Sequence, residues 1–238
     1  RIFNTTNKLV EKFNEHRVFD TPVSENAMMG VAVGMSLNGL VPIISHQRLD
    51  FFLLAMDQLV NSASKWNFMF GNKNRINLTI RLIVGKGWGQ GPTHSQSLQT
   101  WFAHIPGLKV VMPTFPIDAY HMLVESINDP NPVIFLEHRW LHNTKNPKTI
   151  KTDKSISIGS SRICRTGSDY TIVANSYLTL EALKSAKYLR ERHKIEVEVI
   201  DLASISPLDY ETIETSIYKT KNLCVVDGGF YTCSFATE

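Results

Sequence analysis

Short apolar runs alternate with longer helical patterns along this chain, and that alternation limits the fold more than any single motif. The runs LVPIIS (40–45), INLTIRLIV (76–84), LKVVM (108–112), PVIFLE (132–137), DYTIVAN (169–175), IEVEVIDL (195–202) and NLCVVD (222–227) read as strands. Helical patterns occupy 25–38, 51–70, 117–128, 178–193 and 209–218. A strand followed by a crossover helix returns as a parallel neighbour. The alternation therefore predicts an α/β fold with parallel sheets and helices on both faces. HNTKNPKTIKTDKS (142–155) interrupts it with lysines, asparagines and a proline, the composition of a linker. Two α/β domains are expected, over 1–141 and 156–238.

Composition supports a real core. Of 238 residues, 43% are hydrophobic and 20% charged, the mix of a globular protein. The net charge of +3 is dispersed along the chain, too weak a footprint for nucleic acid. No apolar run approaches the ~20 residues that span a bilayer, so no membrane partner is expected. The three cysteines, Cys164, Cys224 and Cys233, lack metal-ligand spacing and read as reduced thiols.

In open α/β sheets, ligands bind beyond the carboxyl ends of strands. Three stretches meet that condition. The first is TPVSENAMMGVAVGMSLNGL (21–40), where Glu25 stands at the mouth of a helix with no polar face. Such a helix is expected to be buried. The carboxylate at its mouth is either an ornament favoured by the helix dipole or a reagent. The second is HQRLDFF (46–52), in which Phe51 reads as core or as a ligand-facing ring. The third is GKGWGQGPTHSQS (85–97), with Gly85, Gly87, Gly89 and Gly91 ahead of Thr93, His94, Ser95 and Gln96 at the expected start of a helix. It matches neither the phosphate-binding P-loop nor the dinucleotide fingerprint. It is either a surface loop capping the next helix or a carrier for His94.

EHRVFDTPVSENAMMGVAVGMSLNGLVPI (15–43), AMDQLVNSASK (55–65), GQGPTHSQSLQTWFAHIPGLKVVMP (89–113) and SINDPNPVIFLE (126–137) together resemble one family. It is the beta subunit of thiamine-diphosphate-dependent 2-oxo acid dehydrogenase first components, of pyruvate and branched-chain type, within the transketolase superfamily. The resemblance implies a pyrimidine-binding domain over 1–141, a linker over 142–155 and an incomplete transketolase C-terminal-like domain over 156–238. It also implies that the family extends past both ends of this sequence. Glu25 falls on the acid that hydrogen-bonds the cofactor's aminopyrimidine. Phe51 falls on the aromatic that stacks against that ring. His94 falls on the active-site histidine, which serves the substrate carbonyl or acyl transfer. Ser126, Asp129 and Asn131 fall on a structural potassium site made mainly by backbone oxygens.

The superfamily's Gly-Asp-Gly magnesium-diphosphate motif is absent from this sequence. The resemblance therefore implies that an alpha subunit supplies Mg2+ and the diphosphate half of the site, in an alpha-beta heterotetramer. A lipoyl acyltransferase component would be the acyl acceptor, and a bacterial cytoplasm is favoured over a mitochondrial matrix. There are departures. His46 and Arg48 stand where the family differs, and either line a substrate pocket or face an interface or solvent. The GPTH sequence is closer to transketolases. Two other readings therefore stand beside the first: a split transketolase-like enzyme passing a ketol or acyl unit to an aldehyde, and a non-catalytic assembly subunit.

Overall fold

A computed structural model describes residues 6–73, 75–147, 150 and 155–238. Part of the expected linker, residues 148, 149 and 151–154, lies outside the described residues, as do residues 1–5 of the expected first domain.

The first sheet contains β1 (Ile43–His46), β2 (Thr79–Val84), β3 (Lys109–Val111) and β4 (Val133–His138), parallel and ordered β1-β2-β4-β3. Central strands of a parallel sheet are covered on both faces, so they read as unbroken apolar runs. TIRLIV in β2 and VIFLEH in β4 are buried almost throughout, as this predicts. One face packs under α2 (Glu25–Leu37), the short α3 (Leu49–Phe52) and α5 (Gln99–Ala103), through Met29, Phe52, Leu59, Phe102 and Ile80. The other face packs under α6 (Pro116–Asn128), through Met122 against Val111, Val133 and Phe135. Each fully buried Phe or Met contributes roughly 1.5–3 kcal/mol by leaving water. The short α1 (Leu9–Phe13) and α4 (Trp66–Met69) contribute no buried residue.

The second sheet contains β5 (Arg162–Arg165), β6 (Tyr170–Ala174), β7 (Val197–Asp201) and β9 (Leu223–Val226), ordered β5-β7-β6-β9. Its faces are covered by α7 (Tyr177–His193), through Ala182 and Ala186, and by α8 (Tyr210–Thr220), through Ile213.

The structure departs from the expected pattern in three places. First, each sheet has an antiparallel edge. β5 runs against β7, and β8 (Ser204–Ser206) leaves the second unit to pair against β3 in the first sheet. Three residues reading SIS give no strand period, so the sequence carries no trace of this pairing. Second, the helix expected over 51–70 is segmented. α3 gives way to a 3-10 turn at Leu53–Ala55 and a π-helix at Gln58–Ala63, and α4 follows. The Ser64 hydroxyl and the Lys65 ammonium both donate to the Val60 carbonyl, at 2.9 and 3.0 Å, and draw it away from the regular ladder. Third, α2 is not enclosed within this chain. Met29, Ala32, Val33 and Ser36 are buried, but Ala27 is exposed and Val31 is 64% exposed.

Side chains also join the two sheets. Thr114 and Thr179 donate to Asp201 Oδ1 at 2.6 and 2.7 Å, and Arg162 grips Asp118 of α6 at 2.9 and 2.5 Å. Ile205 and Phe235 pack into the first sheet's core.

Candidate functional site

The short connection from α2 to β1 makes the helix antiparallel to its strand. Glu25, at the start of α2, therefore lies at the carboxyl end of the first sheet. Ser24 occupies the N-cap without a side-chain capping bond. The half-buried Glu25 side chain makes no hydrogen bond or ion pair among the described residues. Its electrostatic neighbour is His46, the last residue of β1. Burial lowers the His46 pKa below the ordinary 6.5, and the Glu25 charge pulls it partly back. The His46 ring is 5% exposed and lies edge-on to Phe52 at 4.9 Å, and its Nε2 is buried without a partner. An orphaned buried nitrogen beside a carboxyl is a costly arrangement for a chain with no ligand to complete it.

The next residues fan out from the end of β1. Arg48, 7% exposed, donates to Gln90 and stacks on Trp88 at 4.9 Å. Arg139 stacks on the same indole at 4.9 Å. Burial lowers the Arg48 pKa, Asp50 raises it and Arg139 lowers it. Neither His46 nor Arg48 faces solvent, which removes that reading for both. Asp50 Oδ1 accepts from the Gln96 amide and Nε2, at 3.3 and 2.9 Å, and so ties α3 to the glycine-rich loop.

That tie brings Phe51 and His94 together. Their rings meet edge to face, with centroids 5.3 Å apart, and Phe51 keeps 40% of its surface open. Phe51 is therefore not a core aromatic. His94 Nδ1 lies 3.0 Å from Thr93 Oγ1. The loop reaches this position because Gly87, Gly89 and Gly91 take φ of 78°, 74° and 78°. At Gly85 the reason is space: a Cβ there would stand 2.8 Å from the His94 carbonyl oxygen. The expectation that a helix starts at His94 is corrected. His94 sits in a turn and α5 begins only at Gln99, because Gln96 is held by Asp50 and the Ser97 hydroxyl is spent on Gln99 at 2.7 Å.

Ser126, Asp129 and Asn131 are not part of this constellation. Ser126 lies in the last turn of α6, and Asp129 and Asn131 in the connection to β4, at the amino end of the sheet. Ser126 donates to the Met122 carbonyl at 2.6 Å, and Asp129 takes the Lys109 ammonium and the Asn131 amide. Asn131 Oδ1 accepts from Asn67 at 3.0 Å. No cluster of His, Cys, Asp and Glu among the described residues could hold a metal.

Asp50, Trp88, Gln90 and Arg139 are site residues that sequence reasoning did not single out. An acid directly before Phe51 was the one available signal. No helix among the described residues is long and apolar enough to cross a membrane.

The family described as "Transketolase, pyrimidine binding domain" matches residues 2–144, and "Transketolase, C-terminal domain" matches 159–238. The chain is 39% identical, over 96% of its length, to the mitochondrial pyruvate dehydrogenase E1 component subunit beta of Chaetomium thermophilum, covering 60% of that protein. It is 39% identical, over 99% of its length, to the corresponding subunit of Rhizobium meliloti, covering 51% of it. It is 39% identical, over its full length, to the acetoin:2,6-dichlorophenolindophenol oxidoreductase subunit beta of Bacillus subtilis, covering 69% of it. The chain thus spans between about half and two thirds of these relatives. A solved structure titled as a split gene transketolase, inactive beta4 tetramer, superposes with a TM-score of 0.82 at 23% identity, over 98% of this chain and 73% of that one. That likeness concerns the fold.

Proposed function

This chain belongs to the transketolase family, with pyrimidine-binding and C-terminal domains in tandem, and from that premise we propose that it is the beta-type subunit of a thiamine-diphosphate-dependent 2-oxo acid dehydrogenase. The observation that carries the reading is the Phe51–His94 ring contact at 5.3 Å, at the same end of the sheet as Glu25. The aminopyrimidine of the cofactor fits the residues present. Phe51 has an open ring face, Glu25 has an unengaged carboxyl, and the neighbouring His46 Nε2 lacks a partner.

Thiamine diphosphate, when bound, would supply a carbon acid whose conjugate base adds to the carbonyl of a 2-oxo acid. Glu25 would hold the aminopyrimidine and share a proton with it, and Phe51 would support the ring. His94, oriented by Thr93, would donate to the substrate carbonyl or carboxylate. Mg2+ and the diphosphate would come from an alpha-type subunit in a heterotetramer, with lipoamide on an acyltransferase as acceptor. Potassium near Ser126, Asp129 and Asn131 would rest on backbone oxygens. Relatives of equal identity are bacterial and mitochondrial, and a bacterial cytoplasm is the compartment proposed. Arg48 and Arg139 on Trp88 favour, as a second reading, ketol or acyl transfer to an aldehyde carrying an anionic group. Turnover with lipoamide against turnover with an aldehyde decides between them.

Glu25→Gln, assembled with the alpha-type partner, is expected to lower kcat by about 10²–10⁴-fold while assembly and circular dichroism stay unchanged. Full turnover in that variant would sink the role given to Glu25.

A further inference from the structure

A cavity of about 330 Å³ lies where the two sheets meet. The first unit contributes Lys86 from the loop after β2, His138 at the end of β4 and Trp140 just beyond it. The second contributes Asn175 and Ser176 between β6 and α7, Tyr177 at the start of α7, and Asp227 after β9. Glu25, Phe51 and His94 are not among its lining residues. Its volume is at the small end of the range for small-molecule sites.

Several features give the cavity a polar end suited to an anion. The seventeen-residue α7 starts at its wall, so the positive end of a long helix faces it. Ser176, the N-cap, is 1% exposed, lines the cavity, and its hydroxyl has no hydrogen-bond partner among the described residues. A capping serine normally spends that hydroxyl on its own helix; this one does not. Asn175, 2% exposed, donates its amide only to the Met112 sulfur at 3.6 Å, a weak acceptor readily exchanged for an oxyanion. Lys86 brings a mobile charge, now held on the Gly228 carbonyl. The one carboxylate in the wall, Asp227, is committed to Gln99, to the Gly229 amide at 2.9 Å and to Ser234 at 2.6 Å.

The rest of the wall is aromatic. Tyr177 stacks on His138 at 5.3 Å and meets Trp140 edge-on at 4.6 Å. Burial, with the nearby His142 charge, lowers the His138 pKa to about 4, so at neutral pH this ring is an uncharged surface.

We propose that this cavity binds a small ring-bearing oxyanion, its phosphate or carboxylate held by Ser176, Asn175 and Lys86 and its ring against Trp140 and Tyr177. Because both units line the site, its occupant clamps them together. The proposal does not rest on the thiamine-diphosphate reading, and the two fail separately.

Phenyl phosphate, benzoate and inorganic phosphate are the probes, titrated by calorimetry into the purified protein without cofactor. Saturable binding of phenyl phosphate or benzoate, tighter than inorganic phosphate, is expected. Whichever of the two binds tighter identifies the anionic group. Lys86→Met is expected to weaken that binding about tenfold or more, the loss of one charge-assisted hydrogen bond. Ser176→Gly is expected to weaken it severalfold. Ser176 holds φ 52°, a conformation glycine adopts without cost, so this variant removes the hydroxyl and keeps the fold. No saturable binding, binding indifferent to both substitutions, or displacement of the probe by thiamine diphosphate would each overturn the proposal.

Discussion

At the scale of the residue, the candidate site is held from behind its exposed side chains. Asp50 fixes Gln96, and Gly85 leaves room for the His94 carbonyl. Gly85→Ala is therefore expected to push the loop away. The change should cost about 1–3 kcal/mol by denaturant titration and lower turnover further than the stability loss explains. Unchanged kinetics would mean that the loop relaxes freely. The residues seen in the sequence were those that stand in motifs: Glu25 in TPVSEN, Phe51 after LD and His94 in THSQS. The roles of Trp88, Gln90 and Arg139 escaped notice because they are relations. An indole shared by two guanidiniums exists only once the loop after β2 and the end of β4 are adjacent.

At the scale of the element, α2 shows what a sequence pattern can and cannot say. The absence of a polar face was legible, and so was the helix, to within a residue of Glu25–Leu37. What covers the helix was not. One side packs in this chain; the other leaves Ala27 and Val31 in the open beside exposed Val23 and Leu54. An apolar helix face of this kind needs a partner to leave water, in keeping with the proposed alpha-type subunit. Val31→Asp is expected to abolish co-purification with that subunit while the isolated chain keeps its circular dichroism and melting temperature, since the residue makes no core contact. Intact assembly in the variant would place the interface elsewhere. The segmented 51–70 helix was illegible for a local reason. Apolar periodicity does not report a serine and a lysine both competing for the Val60 carbonyl.

At the scale of the whole molecule, two buried groups at the junction of the sheets oppose each other in pH. Burial raises the Asp201 pKa from 3.8 to about 7, against the pull of Thr114 and Thr179. Its contribution to stability is full below pH 3.8 and is lost as pH rises through about 7. His138 goes the other way. Its pKa falls from 6.5 to about 4, so its contribution is full above pH 6.5 and is lost as pH falls through about 4. Between about pH 4 and 6.5 the two slopes offset. Asp201→Asn is expected to expose the acid-side loss, and His138→Asn the alkaline-side loss, in urea midpoints measured from pH 4 to 8. A flat profile in both variants would remove these groups as the titrating pair.

The strand-helix alternation disclosed both sheets but not their joining, because β8 is too short and too polar to leave a signal. Its position nevertheless has a consequence for how the chain folds. The first sheet is finished by a strand made some 90 residues later than its neighbour β3. The sheet cannot close its edge during synthesis until Ser204–Ser206 have been made. A polypeptide cut within 142–155 would carry β3 with its hydrogen-bonding edge bare, a template for pairing with another chain. Such a half is expected to aggregate, and to be rescued by co-expression of the remainder. What looks in sequence like two modules on a tether is thus expected to fold as a single cooperative unit.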